Sequence, residues 1–292
     1  MNTILFRKLS IFSLACIAAT LQAHEHMPAG ATANTPGAML EYAPGAEDFT
    51  TNSGFVFSLD TGDADGPYSG YFFTADQVFE ALPATANNGG PDPDAAAPGT
   101  YVQVKLLSVE GPAGASFGFW ETPQNGLDST NITWSVPVPF HGTNLIHVSE
   151  SDGSAGSDPY GHIHGRVYSV TKPGFYIATW QFVDTSTNGL NGGPVDLPSP
   201  LFATYYQAGL TIAGIKTDTN GASIFFAAPS NQPDDLSTPP TNYQLQSSPA
   251  LGAEAHWQPV GDVIVGDDTL HIVTLPLTNS AAFFRLSAQY FN

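Results

Sequence analysis

Cysteine is all but missing from this chain. Cys16 is the only one, and it lies in an apolar stretch near the N-terminus. Without that stretch the chain has no disulfides, no thiolate nucleophile and no cysteine metal ligand. Positive charge is also scarce, with 7 Lys and Arg against 26 Asp and Glu. So acidic a surface repels phosphate backbones and anionic lipid, which argues against nucleic acid as a partner and leaves cations as the natural counter-species. Three catalytic signatures are missing too: the Gly-x-Ser-x-Gly elbow, the His-Glu-x-x-His helix and the phosphate-cradling Gly/Lys loop.

Long hydrophobic runs are absent as well. The one apolar segment at the start, "IFSLACIAATL", is about half of the roughly 20 residues that cross a bilayer. It follows the basic pair Arg7 and Lys8 and ends in the small residue Ala23, the pattern of a secretory signal over residues 1–23. The mature chain is thus expected to be exported, to the extracellular space, cell surface or periplasm, with no membrane span. "SLAC" departs from a lipoprotein box, because Ser13 stands where an aliphatic residue is expected.

Short alternating or aromatic runs, separated by clusters of Gly, Pro, Asn and Asp, dominate what remains. "GFVFSLD", "TYVQVKLLSVE", "ASFGFWE", "ITWSVPV", "NLIHVSE", "RVYSVT" and "GFYIATWQFVD" read as strands. The expected fold is all-β: an antiparallel β-sandwich over residues 24–205, then a smaller, fibronectin-like β-sandwich over 206–292. Six short runs from "LTIAGIKTD" to "AAFFRLS" supply the second, which begins near Gly209. One helix is expected, at Thr74 to Leu82, with Thr74 as cap and Pro83 as stop. Residues 83–100 and 186–200 read as long flexible loops.

Histidines carry the chemistry on offer. Six of the eight fall in the first module, as His24 and His26, His141 and His147, and His162 and His164. Residues two apart on a strand face the same side, so His162 and His164 would project together and reach one ion. His147 and His141 would approach them if the strands pair, with Glu150 and Asp158 as carboxylate ligands or orienting partners. Cleavage after Ala23 would expose His24, creating either an amino-terminal copper chelate with His26 or half of a copper histidine brace. His256 and His271 stand alone in the second module. Asp60, Asp63 and Asp65 form a Gly-rich loop that could take calcium, although the closing glutamate of an EF-hand is missing. Trp120 and Trp134 offer faces for sugar stacking, against the plainer expectation that they fill the core.

"GHIHGRVYSVTKPGFYIATW" resembles the signature of the bacterial surface-anchored repeat family, of choice-of-anchor type. That family runs His-x-His, Trp-x-Phe, Pro-Gly-x-Tyr. The matching residues are His162, His164, Tyr168, Val170, Pro173, Gly174 and Tyr176. "LLSVEGPAGASFGFWE" and "AHEH" resemble its upstream segments, so the likeness spans residues 24–185. Tyr168 stands where the family has Trp and Val170 where it has Phe, and the gap after the histidines is one residue longer. The end of the chain looks like a C-terminal β-module of verrucomicrobial type. The resemblance implies a role near metal uptake, with cell-envelope or uptake-system proteins as partners. The Pro-Gly pair also has a plain reading as a type II turn.

These observations converge on an exported, non-enzymatic surface protein with a histidine site for a divalent metal, zinc first and copper second. The alternatives are a copper-dependent polysaccharide oxidase using His24 at a true N-terminus, and a purely structural surface protein.

Overall fold

The computed structural model describes residues 25–42, 55–121, 131–219, 221–229, 242–276 and 282–289. Period-2 alternation organises them. Val102, Val104 and Leu106 are buried, whereas Gln103 and Lys105 between them are half-exposed. Tyr176, Ala178, Trp180 and Phe182 repeat the pattern on the neighbouring strand. The alternation shifts by one after Leu106, because Leu107 has no partner in either ladder and bulges, and Val109 resumes the inward face.

The chain-order strands of the first module begin with β1 (Glu25–Ala31), β2 (Leu40–Tyr42), β3 (Val56–Thr61), β4 (Phe72–Thr74) and β5 (Gln77–Ala81). There follow β6 (Val102–Glu110), β7 (Ser116–Trp120), β8 (Trp134–Pro137) and β9 (Phe140–His147). The last four are β10 (Gly161–His162), β11 (Val167–Val170), β12 (Gly174–Asp184) and β13 (Phe202–Ala208). They form a four-stranded sheet, β10-β5-β1-β2, and a nine-stranded one, β8-β7-β11-β4-β3-β13-β12-β6-β9. Pairing is antiparallel except for β1 with β5 and β3 with β13. Met27, Ala29, Ala31, Phe79 and Ala81 from the small sheet meet Phe117, Tyr168, Trp180, Phe182 and Tyr206 from the large one in a single core. The expected strands are all present.

The second module holds β14 (Gly214–Asp218), β15 (Gly221–Ala228), β16 (Asn242–Ser248), β17 (Gln258–Val265), β18 (Thr269–Leu275) and β19 (Phe283–Gln289). Two three-stranded sheets, β14-β15-β18 and β17-β16-β19, enclose a small core of Ile224, Phe226, Ala228, Tyr243 and Leu245. The smaller sandwich is therefore present. Strand β13 runs through Ala208, and Tyr206 and Ala208 belong to the first core.

Four local expectations are corrected. The helix at Thr74–Leu82 is instead the end of β4 followed by β5, because Phe79 and Ala81 gain more by facing the core at strand spacing than a short helix of about two and a half turns could give them. Residues 83–100 form a pinned loop: Ala95, Ala96 and Ala97 are buried, and the Ala84 amide donates to Asp158 Oδ1 at 2.9 Å. Residues 186–200 are tied down by Asp184, whose carboxylate accepts the amides of Ser186 and Asp196 at 2.7 and 3.1 Å. At Pro173–Gly174 the chain bends with φ of +151° at Gly174, away from the roughly +80° of a type II turn. A side chain at Gly174 would strike Pro112. No helix among the described residues is long and apolar enough to cross a membrane.

Candidate metal centre

The small sheet turns its odd-numbered residues, Met27, Ala29, Phe79 and Ala81, into the core. Its even-numbered residues therefore lie on the opposite face, where Val78 is buried and His26, Glu80 and His162 are half-exposed. His26 pairs in register with Val78, and Glu80, two residues on, lies opposite His162 across the β5–β10 ladder. His26, Glu80 and His162 thus share this face of three adjacent strands. His164 follows just beyond β10, with its ring centroid 4.3 Å from that of His162 and 6.1 Å from that of His26. The expected same-side projection of His162 and His164 holds, although β10 is only two residues long.

Gly161 makes this placement possible. A Cβ there would lie 1.8 Å from the Val148 carbonyl oxygen, so only glycine lets the segment press against residues 148–150. That contact brings Glu150 Oε1 within 2.7 Å of the His162 amide, which donates to it.

His26, His162 and His164 each offer a ring nitrogen, and all three nitrogens lie within 4.8 Å of one another. This is the one such group of His, Cys, Asp or Glu among the described residues. His26 Nε2 and His162 Nε2 are 3.3 Å apart. Two nitrogens bound at about 2.0–2.1 Å to a tetrahedral ion would be separated by about 3.3–3.4 Å, whereas right-angled positions would bring them to about 2.8–3.0 Å. The 3.3 Å spacing is equally that of a hydrogen bond between the two rings. His26 Nδ1 faces Glu80 Oε2 at 2.9 Å. This carboxylate–imidazole pair orients the ring, with Nε2 turned toward His162. Partial burial and the neighbouring rings of His162 and His26 hold the His164 imidazole below its usual pKa, against the opposing pull of Glu80.

The other sequence candidates take different partners. His141 is exposed on β9 beside Glu110, with Nε2 3.3 Å from Oε1. His147 sits against Arg166, whose Nη2 is 3.0 Å from its Nε2 and whose Nη1 donates to its carbonyl at 2.6 Å. Burial and that guanidinium hold His147 below the usual imidazole pKa. A ring facing a fixed cation is a poor ligand for a second one. Asp158 accepts the amides of Ala84 and Tyr160 and is a loop clamp. Asp60, Asp63 and Asp65 do not converge as the histidines do: Asp60 is paired with Phe73 across β3 and β4, while the other two lie in the following turn. Trp120 is buried and donates from Nε1 to Ser169 at 2.8 Å, and Trp134 stacks on Phe119, so both serve packing. His271 pairs with Asp267 at 2.9 Å in the second module. His24 lies outside the described residues.

Sequence reasoning missed Glu80, Arg166 and Glu121. Glu80 was hidden by the helical reading of its segment; taken as a strand, "QVFEA" places Val78 and Glu80 on one face. No protein-family model matches the chain, and none of the curated proteins matches it significantly.

Proposed function

We propose that this chain is an exported, non-enzymatic surface protein that binds a divalent ion, zinc foremost, through His26, His162 and His164. The observation that carries this reading is the meeting of three imidazoles from two distant chain segments, with two ring nitrogens 3.3 Å apart. Chance strand histidines rarely come with a carboxylate seated on the far nitrogen of one ring, as Glu80 is on His26. The signal-like N-terminus and the resemblance to surface-anchored repeats support export and a place near metal acquisition. In this role Tyr168, Val170 and Tyr176 of the signature are buried fold positions, which leaves the His-x-His pair for chemistry.

Metal content of exported, processed protein, measured by mass spectrometry beside a His162→Ala/His164→Ala variant, tests the reading. Near-stoichiometric zinc that disappears in the variant is expected. No metal in either protein after equilibration with zinc and copper would leave a purely structural sandwich. Sequencing the mature N-terminus in the same sample decides the copper-oxidase alternative, which requires His24 as the first residue.

A further inference from the structure

We infer that Asp196 stands in the fold as a neutral carboxylic acid. With Asp184 it makes a proton-held latch that ties three loops together and weakens as the solvent turns alkaline. The latch is separate from the histidine group and does not rest on the metal reading.

The two carboxyl groups meet where β12 ends, Asp184 being 9 % exposed and Asp196 1 %. They differ in their supply of donors. One oxygen of Asp184 accepts the Tyr101 amide at 3.0 Å and the Ser186 amide at 2.7 Å. Its other oxygen accepts the Ser186 hydroxyl at 3.0 Å and the amides of Val195 and Asp196 at 2.5 and 3.1 Å. Asp196 has donors on one side only. Its Oδ2 accepts the Ala97 amide and the Thr100 hydroxyl, each at 2.9 Å. Its Oδ1 is buried with no hydrogen-bond partner among the described residues.

A buried oxygen without a donor costs far more when it carries charge than when it is a neutral hydroxyl. No cation offsets that cost: Asp184 is the one charged group among the described residues that acts on Asp196, and it is an acid. The other acids of the neighbouring loop, Asp92 and Asp94, reach solvent, and Asp92 accepts the Asp94 amide at 3.0 Å. Of two adjacent carboxyls in unlike settings, the proton belongs on the one short of donors. Burial, with Asp184 adding to it, holds the Asp196 carboxyl above its usual pKa, against the Ala97 and Gly37 amides and the Thr100 hydroxyl.

The latch spans both sheets. Ala97 and Thr100 belong to the loop at 83–100, and Asp196 to the loop at 186–200. On either side of Asp196, the Val195 carbonyl accepts the Gly37 amide at 2.8 Å and the Leu197 amide donates to the Ala38 carbonyl at 2.7 Å. Those two residues lead into β2, the edge of the small sheet, while Asp184 ends β12 of the large one. The folded chain holds this proton more tightly than the unfolded chain. Its contribution is therefore full below the ordinary value of 3.8 and is lost as pH rises through the folded value.

The Ala97 amide, followed by NMR across pH in the full chain, reports on the carboxyl to which it donates. Its titration midpoint is expected above about pH 5, at least a tenfold weaker acid than an ordinary aspartate. Asp196→Asn keeps the neutral shape without a proton to lose. Between about pH 4 and about pH 8 its thermal midpoint should gain about 3 °C or more on the parent's. An Ala97 midpoint in the ordinary aspartate range, or a difference between the two proteins that does not change with pH, would overturn the inference. So would calcium that stabilises the parent and not the variant, because Oδ1 would then be a charged ligand. If the variant does not fold, the Ala97 titration decides by itself.

Discussion

Two histidine environments in the first module, close in sequence, have opposite electrostatics. On the face of the small sheet away from the core, His26, His162 and His164 come together with the Glu80 carboxylate behind one ring. At the edge of the large sheet, His147 meets Arg166, which is 3 % exposed and forked onto Glu121 at 2.7 and 3.1 Å. Among the described residues, no Lys or Arg acts on His164 in the first arrangement, whereas the second contains Arg166. The two settings thus differ in the charge that the fold has placed beside the ring. Arg166 is only two residues beyond His164, so this contrast arises within one short segment.

Removing His162 should separate the two environments most sharply. It touches both other rings, and loss of an orienting partner alone typically costs about 10–100-fold in metal affinity. On the proposed metal reading, His162→Ala is expected to lower zinc affinity on the order of a thousandfold by competition titration, while His147→Ala leaves zinc affinity unchanged. Comparable losses in the two variants would break the comparison.

Glu121→Gln addresses the other side. It strands the buried Arg166 charge and is expected to destabilise the protein by about 3 kcal/mol in denaturant titration, with zinc content unaltered. A stability change under about 1 kcal/mol would mean that solvent already neutralises Arg166 there. Glu80→Gln should do the reverse: zinc affinity falls about 10–100-fold, and the unfolding midpoint of the metal-free protein barely moves.

The smallest expected effect is in pH dependence. His147 is held below its usual pKa by burial and by Arg166, with Glu121 and Glu150 opposing. The unfolded chain therefore binds a proton at His147 before the folded chain does. Stability attributable to this residue is present above pH 6.5 and is lost as pH falls from there through the folded value. Metal-free His147→Gln should lose less stability between pH 7 and pH 5 than the parent. An unchanged or steeper loss would show that burial and the guanidinium do not hold His147 below its usual pKa.

Much of the sandwich was legible because strand alternation reports burial directly. "VQVKLL" and "YIATWQF" announce an inward face whatever they pack against. The segment at 74–82 was misread because its apolar spacing over so few residues fits a helical turn and a strand equally well, and only the partners β1 and β10 decide between them. The nearness of His162 to His164 was legible from their two-residue spacing, although His164 lies beyond the end of β10 and not on a strand. The choice of His26 over His147 as the third member was not. That choice depends on the parallel pairing of β1 with β5, a contact between chain segments some fifty residues apart, and on Gly161 allowing β10 to lie at the sheet edge.

The sequence by itself determined that this is an all-β chain with an acidic surface, almost no thiol chemistry and a His-x-His pair able to act together. These are local or additive properties, set by period, composition and spacing. Tertiary structure alone decided which third histidine completes the group, that Glu80 stands behind it, and that Arg166 removes His147 from consideration. Those outcomes depend on strand order and register, which bring distant charges within a few ångströms, where the energies of imidazole, carboxylate and guanidinium are set.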